Sequence, residues 1–311
     1  MRAPLMSPLR RVSPASVTPQ PHAPGDNLRG ALLMTLSMIG FGCNDAAMKF
    51  VTQDMPLYQA ITMRGLTMMV VLWALALREG GLSLAVGRGN RWSMVLRALG
   101  EVGSTLLFLN ALQVMAIGDL SAVMQSLPLV VMLAAAMFFG ERLGPRRLGA
   151  VLVGLVGVMM ILRPGSGTFG IWALVALGSV LLMVLRDIVT KMFSRDVSST
   201  TIAFYAALSV TVMGGVLALG QGAIMPNLQH LLLLLLASAF LTMGYVTGVA
   251  AMRVGEISYV APFRYTSLIV AIAAGVAIFG EWPDIWTWLG SALVVAAGIY
   301  VIWREAQLEK Q

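Results

Sequence analysis

Ten apolar stretches, each about as long as a membrane-crossing helix, follow one another along most of this 311-residue chain. A helix needs roughly 20 predominantly apolar residues to cross the hydrocarbon core of a bilayer. The stretches lie between polar or Gly/Pro breaks, near residues 31–51, 57–77, 93–113, 119–139, 147–163, 170–190, 200–220, 230–251, 256–279 and 285–303. The sequence therefore predicts an all-α integral membrane protein with ten transmembrane helices.

The composition supports the same class. Hydrophobic residues make up 58% of the chain and charged residues 11%, whereas soluble domains contain about 45–50% apolar and about 25% charged residues. The formal net charge of +7 would raise the question of nucleic-acid binding in a soluble protein. Here the placement of the basic residues between apolar stretches matters more, and no nucleic-acid partner is predicted.

The basic residues predict the orientation in the membrane. Of the 21 Lys and Arg, four lie inside the predicted spans, fifteen fall on the side of the N-terminus and two on the opposite side. Because Lys and Arg favour cytoplasmic loops, both termini are predicted to be cytoplasmic. Residues 1–29 contain six prolines and are predicted to form a disordered cytoplasmic tail. The late start of the first apolar stretch favours an uncleaved first span over a cleaved signal peptide.

A charged pattern occurs twice. "CNDAAMKFVTQD" places Asp45 and Lys49 four residues apart, and "LRDIVTKMFSRD" repeats this spacing with Asp187 and Lys191. The tract "FFGERLGPRRLGAVLVGLVGVMMILRP" similarly resembles "IFGEWPDIWTWLGSALVVAAGIYVIWRE" in the second half of the chain. The matches occur in the same order in both halves, which indicates an internal repeat.

The repeat predicts the architecture. Residues 30–164 and 169–305 would each form a unit of five spans, and an odd number of spans inserts the second unit upside down relative to the first. Inverted repeats of this kind build secondary transporters, in which the substrate site lies between the repeats near the bilayer midplane. The sequence therefore predicts two inverted five-helix repeats around a central site.

The ordered motifs resemble a known family. An arginine lies early in span two ("YQAITMRGLTMMV"), and a "GERL" tract with spaced glycines follows span four. Together with the two five-span halves, these features resemble the EamA family of the drug/metabolite transporter superfamily. Within that family, "GCNDAAMKF" and "ISYVAPFRYTSLIVAIAAGVAIFGEWPD" are most similar to bacterial riboflavin uptake proteins and less so to S-adenosylmethionine uptake proteins. The resemblance implies a ten-helix carrier with a central cavity, in a family of importers and exporters.

Ionisable residues inside spans mark candidate functional positions, because they are costly in lipid and normally face the bundle interior or a water-filled cavity. Asp45 and Lys49 share one helix face, as do Asp187 and Lys191, so each pair can neutralise itself. Two interpretations stay open for these pairs: structural ion pairs near the interface, or groups on the substrate path.

Three further charged residues lie deeper in their spans. Arg64 is eight residues into span two and is expected either to bridge carbonyls or an aspartate, or to line the path. Glu101, four residues after Arg97, is placed in a cavity or in an ion pair within span three. Arg264 is the strongest candidate for the substrate path, since a guanidinium stacks on aromatic ligands and binds anionic groups bidentately. Its neighbour Tyr265 is grouped with it.

Uncharged polar residues complete the candidate set: Asn44, Asn110, Gln125 and Tyr245. For each, an interhelical hydrogen bond competes with ligand contact. Proline removes a helix hydrogen bond, so Pro128 and Pro262 are candidate hinges.

The sequence lacks the motifs that are typical of other functional classes. It has no glycine-rich loop ending in Gly-Lys-Ser/Thr for nucleotide phosphates, no Cys/His cluster with metal-ligand spacing and no nucleophile motif at span depth. No cofactor is predicted, and an intramembrane enzyme or a non-transporting sensor is disfavoured.

The leading hypothesis is a secondary, alternating-access carrier of a small organic metabolite in the bacterial inner membrane. Riboflavin uptake is the first choice of substrate; S-adenosylmethionine, amino acids or amines, including export, are the alternatives. The partners are thus a small molecule and the lipid bilayer, and the oligomeric state stays open, with a homodimer among the options.

Overall fold

The computed structural model describes residues 24–78, 81, 88–139, 144–163, 170–191, 199–254 and 257–309. Within these residues the regular structure is helical. The α-helices are α1 (Pro24–Val51), α2 (Leu57–Arg78), α3 (Arg88–Val114), α4 (Ile117–Met124), α5 (Leu127–Phe139), α6 (Pro145–Leu162), α7 (Gly170–Lys191), α8 (Ser199–Gln221), α9 (Leu228–Val254), α10 (Ile257–Val260), α11 (Thr266–Ala274) and α12 (Ile285–Glu309). A 3₁₀ segment (Ala261–Tyr265) precedes α11, and a π-helical segment (Gly275–Phe279) follows it.

The predicted number of spans is confirmed. Within the described residues, ten helical stretches are long and apolar enough to cross a membrane. Large apolar side chains are exposed along their outer surfaces, among them Leu32, Val70, Leu174 and Leu232. Helices satisfy their own backbone hydrogen bonds, which lipid cannot do. The chain is therefore a multi-pass, all-α membrane protein.

The first helix begins earlier than predicted. Helix α1 starts at Pro24, so residues 24–29 of the predicted tail are helical. Proline is favoured in the first turn, where its missing N–H has no intrahelical partner, and Asp26 in that turn complements the positive end of the helix dipole. Counting apolar residues missed this polar first turn.

Spans four and nine are interrupted where the sequence predicted hinges. Span four is broken between α4 and α5 at Gln125 and Ser126, and Pro128 lies in the first turn of α5. Span nine passes through the 3₁₀ segment that contains Pro262. Proline at these positions costs little because helical hydrogen bonding is already interrupted. Whether either break moves during function stays a prediction.

The helices pack in pairs drawn from both halves. Helix α1 packs on α9, α2 on α8, α3 on α7, α6 on α12 and α4 on α11. In terms of spans, these pairs are one with eight, two with seven, three with six, five with ten, and four with nine. If each span is replaced by its counterpart in the other half, so that span one exchanges with span six and span two with span seven, the same five pairs result. This is the pattern expected when two related halves face each other, and it places an interface between the repeats at the centre.

Spans five and ten meet through glycines. A methyl group added at Gly157 of α6 would lie 2.7 Å from the carbonyl oxygen of Gly290 in α12 and 2.9 Å from the Cβ of Leu293. These separations are shorter than normal van der Waals contact, so only glycine allows this approach. Small residues at a helix interface let the two backbones approach closely in this way.

We expect Gly157→Ala to destabilise the fold by about 1–3 kcal/mol, because overpacking forces the two backbones apart. Thermal unfolding in detergent measures the effect as a lowered Tm. Gly149→Ala on the same helix is the control, since its added methyl group would have no neighbour within 4 Å. Equal Tm values for the two variants would contradict the close-packing interpretation.

Candidate functional site

A central cavity of about 470 Å³ lies between the two halves. Side chains from α1, α2, α3, α4 and α5 of the first half line it, together with side chains from α7, α8, α9 and α11 of the second. On α3 the lining extends from Arg97 to Leu112, which corresponds to about 22 Å of helix. The cavity therefore follows the interface between the repeats through a large part of the membrane thickness.

One wall carries a short hydrogen-bonded chain from α1 to α2. Arg64 Nη1 donates to Asn44 Oδ1 at 3.1 Å, and Asn44 Nδ2 donates to Asp45 Oδ1 at 2.9 Å. Arg64 is only 8% exposed, and its backbone carbonyl accepts from Ser238 Oγ of α9 at 3.1 Å. The asparagine thus stands between a guanidinium and a carboxylate and fixes both at the cavity wall.

Helices α3 and α7 contribute a second charged cluster. Glu101 lies 3.3 Å from Arg97 on its own helix and 3.4 Å from Arg186 on α7. Arg186 also contacts Asp187 through Nε and Nη2, each at 2.9 Å. Two guanidiniums and two carboxylates alternate, so burial of these charges is compensated within the cluster. The arrangement joins the first half of the chain to the second.

Span nine contacts the interrupted part of span four at the cavity wall. Gln125 Nε2 donates to Ser267 Oγ at 2.6 Å, and Ser267 Oγ donates to the backbone carbonyl of Arg264 at 3.1 Å. Arg264 itself lines the cavity and is exposed. Gln125 sits where α4 ends, so the helix break brings its amide to this position.

The cavity combines apolar walls with an excess of cationic groups. Four arginines and three carboxylates line it within the described residues: Arg64, Arg97, Arg186, Arg264, Asp45, Glu101 and Asp187. In their ionised forms these groups leave one positive charge. Phe41 and Phe108 belong to the lining, and the Phe41 ring packs edge-on against Tyr245 with centroids 5.4 Å apart. Aromatic faces beside hydrogen-bond donors suit a planar polar ligand.

Most of the candidate residues meet at this cavity. The residues it gathers are Asn44, Asp45, Arg64, Glu101, Gln125, Pro128, Asp187, Tyr245 and Arg264. These positions come from seven different spans, and only the fold brings them together. Their role in substrate binding remains a prediction.

Tyr265 and Asn110 lie outside the cavity lining in this structure, and their place on the substrate path stays a prediction. Tyr265 is 7% exposed and its hydroxyl packs against Gly298 of α12. Successive residues of a 3₁₀ segment point about 120° apart, which separates Tyr265 from the cavity-facing Arg264. Asn110 Nδ2 donates to the carbonyl of Leu106 at 2.8 Å, within its own helix and outside the lining.

The predicted pairing of Asp45 with Lys49 needs correction. Lys49 bonds to Glu281 at 2.5 Å rather than to Asp45, whose carboxylate accepts from Asn44. Asp187 pairs with its neighbour Arg186, and the side chain of Lys191 lies outside the described residues. Sharing a helix face permitted the Asp45–Lys49 pair, but Lys49 instead has a tertiary partner in Glu281.

Several lining residues were not singled out from the sequence, among them Phe41, Thr105, Phe108, Ser121 and Ser267. Each is an ordinary residue type for a transmembrane helix, so neither charge nor helix interruption marks it. Glu281 was also missed as a partner of Lys49, although its Gly-Glu dipeptide recurs in both halves.

Comparison with known proteins identifies the family. The model of the EamA-like transporter family matches residues 28–163 and again residues 170–304. A riboflavin transporter of Rhizobium johnstonii is 28% identical over 91% of this chain and 93% of its own length. An S-adenosylmethionine uptake transporter of Rickettsia bellii is 23% identical over 87% of this chain and 92% of its own length.

A structural comparison agrees with the sequence matches. A solved crystal structure with 19% sequence identity matches at a TM-score of 0.64 over 91% of this chain and 99% of the other chain. At that identity the likeness shows the fold alone. The two matched segments together span nearly all of the ten helices, and the chain belongs to the EamA-like transporter family.

Proposed function

We propose that this chain is a secondary transporter that takes up riboflavin across the bacterial inner membrane. The observation that carries the proposal is the cavity between the two repeats, which combines aromatic faces with arginine and amide donors. Ligand pockets commonly enclose about 300–1,000 Å³, and the volume of about 470 Å³ accommodates a small metabolite. The sequence contains no nucleotide-binding loop, so transport follows the substrate gradient or a coupled ion.

Alternating access provides the mechanism. Both repeats contribute lining residues, so a change in their relative position alters which end of the cavity is open. The Glu101–Arg186 contact at 3.4 Å crosses from one half to the other and can be exchanged for contacts with substrate or water. Substrate binding shifts this equilibrium only through different affinity for the two states.

Riboflavin suits the cavity chemically. Its isoalloxazine ring is planar and bears two carbonyl oxygens, which accept hydrogen bonds from guanidinium or amide groups such as Arg264 and Gln125. Phe41 and Phe108 offer surfaces for the ring. The relative of Rhizobium johnstonii that is named as a riboflavin transporter supports this choice.

We expect expression of the chain to restore growth of a flavin-auxotrophic bacterium without its own riboflavin uptake system, at low external riboflavin. The measurement is growth rate together with initial uptake of labelled riboflavin, normalised to tagged protein in the membrane. The same strain with empty vector is the control. Absence of growth and uptake despite normal membrane insertion would reject riboflavin and leave the membership of the transporter family intact.

A cationic substrate is the second candidate, and one observation favours it. Asp45 lines the cavity and accepts a hydrogen bond from the neutral amide of Asn44, whereas Glu101 and Asp187 are in ion pairs with arginines. A carboxylate in that setting can attract a sulfonium or ammonium group. Unlabelled S-adenosylmethionine is added to the riboflavin uptake assay as a competitor. If it binds in the same cavity, riboflavin uptake falls; if it does not bind there, riboflavin uptake is unchanged and the cationic candidate is rejected.

The orientation is tested separately. With both termini in the cytoplasm, reporter fusions after residues 54, 118 and 225 should report the periplasm, and fusions after residues 88 and 144 the cytoplasm. Basic residues in the connecting loops provide the physical reason. Alkaline phosphatase and green fluorescent protein activities measure the two locations, and a cytoplasmic signal at residue 225 would contradict the ten-span orientation.

A further inference from the structure

One end of the cavity is covered by polar contacts between the two halves. Ten consecutive spans place both chain termini on one face of the bundle, and we call the opposite face the distal face. The ends of α1, α3 and α6 lie there, together with the starts of α4 and α12. The cavity approaches this face at Leu112 and Ile117.

Lys49 is the centre of these contacts. Its Nζ donates to Glu281 Oε1 at 2.5 Å and to the backbone carbonyl of Met115 at 2.7 Å. It also lies 5.1 Å from the centroid of the Phe279 ring. Lys49 is only 8% exposed, so its charge depends on these partners for compensation. The lysine thereby joins the end of α1 to the end of span nine.

Glu281 completes the closure from the other side. Its Oε2 accepts from the backbone N–H of Ile117 at 2.9 Å, and the side chain of Ile117 is 2% exposed and lines the cavity. Gly280 has a φ of 67°, a conformation that suits glycine and that turns the chain at Glu281. The Glu281 carboxylate thus holds Ile117, which lines the cavity at its distal end.

Two further contacts join the two halves at the same face. Thr287 Oγ1 donates to Asp119 Oδ1 at 2.7 Å, and Arg163 forms an ion pair with Asp284. The side chains of Arg163 and Asp284 are 35% and 47% exposed, against 9% and 26% for Lys49 and Glu281. Because surface pairs contribute little, the Lys49–Glu281 contact is the stronger of the two ion pairs.

We propose that Lys49 and Glu281 form the gate that keeps the distal end of the substrate path closed in this conformation. Lys49, Met115 and Ile117 belong to the first half, whereas Phe279 and Glu281 belong to the second. Movement of one half against the other therefore breaks these contacts and opens the distal end. The polar groups then become hydrated, so opening exchanges one set of hydrogen bonds for another.

This inference rests on the proposed transport function, but its test needs no substrate. The experiment measures how fast a cavity cysteine reacts with a membrane-impermeant maleimide supplied only at the distal face. Ser121 lines the cavity and becomes the reporter as Ser121→Cys in a Cys43→Ser background, since Cys43 is the single cysteine. A tag at the C-terminus identifies the opposite face of the vesicles.

We expect Glu281→Gln to raise the reaction rate about tenfold, because removing one partner of a buried ion pair shifts the equilibrium towards the open state. Lys49→Gln should have a similar effect. The double variant should react at about the rate of either single variant, since both changes act through the same contact. Asp54→Asn is the matched control: it removes an exposed carboxylate at the same face and should leave the rate unchanged.

Two results would overturn the gate. One is an unchanged rate in folded Glu281→Gln protein, and the other is a double variant in which the two effects multiply. If Glu281→Gln is not recovered as folded protein, Glu281→Asp replaces it, because the shorter acid keeps the charge while losing reach, with the same expected increase. A positive labelling result together with absent riboflavin uptake would reject the substrate and retain the gate.

Discussion

Replacing Arg264 with alanine should lower the initial uptake rate about 10- to 100-fold while leaving the amount of folded protein in the membrane nearly unchanged. Arg264 lines the cavity and is exposed, so its side chain contributes little to the packing of the bundle. A hydrogen bond to a charged group is worth about 1.5–3 kcal/mol, and each 1.4 kcal/mol corresponds to about tenfold. Loss of that interaction with the substrate accounts for the expected range.

Arg264→Lys is the matched variant for this prediction. It keeps the positive charge but loses the planar group with paired donors, so it should recover only part of the activity. The measurement is the initial uptake rate normalised to folded, membrane-inserted protein. Full activity of Arg264→Ala would remove Arg264 from the substrate path, and a loss of folded protein would instead assign it a structural role.

Replacing Glu101 with glutamine should destabilise the protein by about 3–5 kcal/mol, the usual cost of removing one partner from a buried ion pair. Glu101 is 7% exposed and lies within 3.4 Å of both Arg97 and Arg186. Without the carboxylate, two neighbouring guanidiniums repel each other in a largely buried site. Thermal unfolding in detergent and the yield of membrane-inserted protein measure the effect.

The double variant Glu101→Gln/Arg97→Gln provides the internal check. It leaves the Arg186–Asp187 pair at 2.9 Å and restores the charge balance of the cluster, so it should be more stable than Glu101→Gln alone. Asp54→Asn removes an exposed acid and should change stability by less than about 0.5 kcal/mol. Equal destabilisation by the single and double variants would show that charge balance does not hold this cluster together.

The number and positions of the spans could be predicted from the sequence because lipid imposes a simple rule. A segment that crosses the bilayer must be long and apolar, and it must form all of its backbone hydrogen bonds internally. Each of these properties is local. Charged residues inside spans were recognisable for the same reason, since their cost in lipid requires a polar surrounding. Arg64, Glu101 and Arg264 were therefore found as cavity residues without any knowledge of the fold.

Choices between neighbouring residues depended on backbone geometry that the sequence does not display. Arg264 and Tyr265 are adjacent, but the 3₁₀ segment directs the first to the cavity and the second to Gly298. The unmarked lining residues Thr105 and Ser121 were missed because polar side chains of this size also satisfy themselves within a helix. Their positions on the cavity wall follow from helix rotation, which packing between helices determines.

The ten spans, the repeated charged pattern and the set of groups that cannot face lipid follow from the sequence alone, because hydrophobic length and the cost of buried charge are properties of single segments. Which charges meet depends on how the helices pack in three dimensions. Lys49 shares a helix face with Asp45 four residues away, yet its ammonium group bonds to Glu281, 232 residues along the chain. Ion pairing depends on the distance between charged atoms in three dimensions, and the packing of span one against span nine makes that distance short.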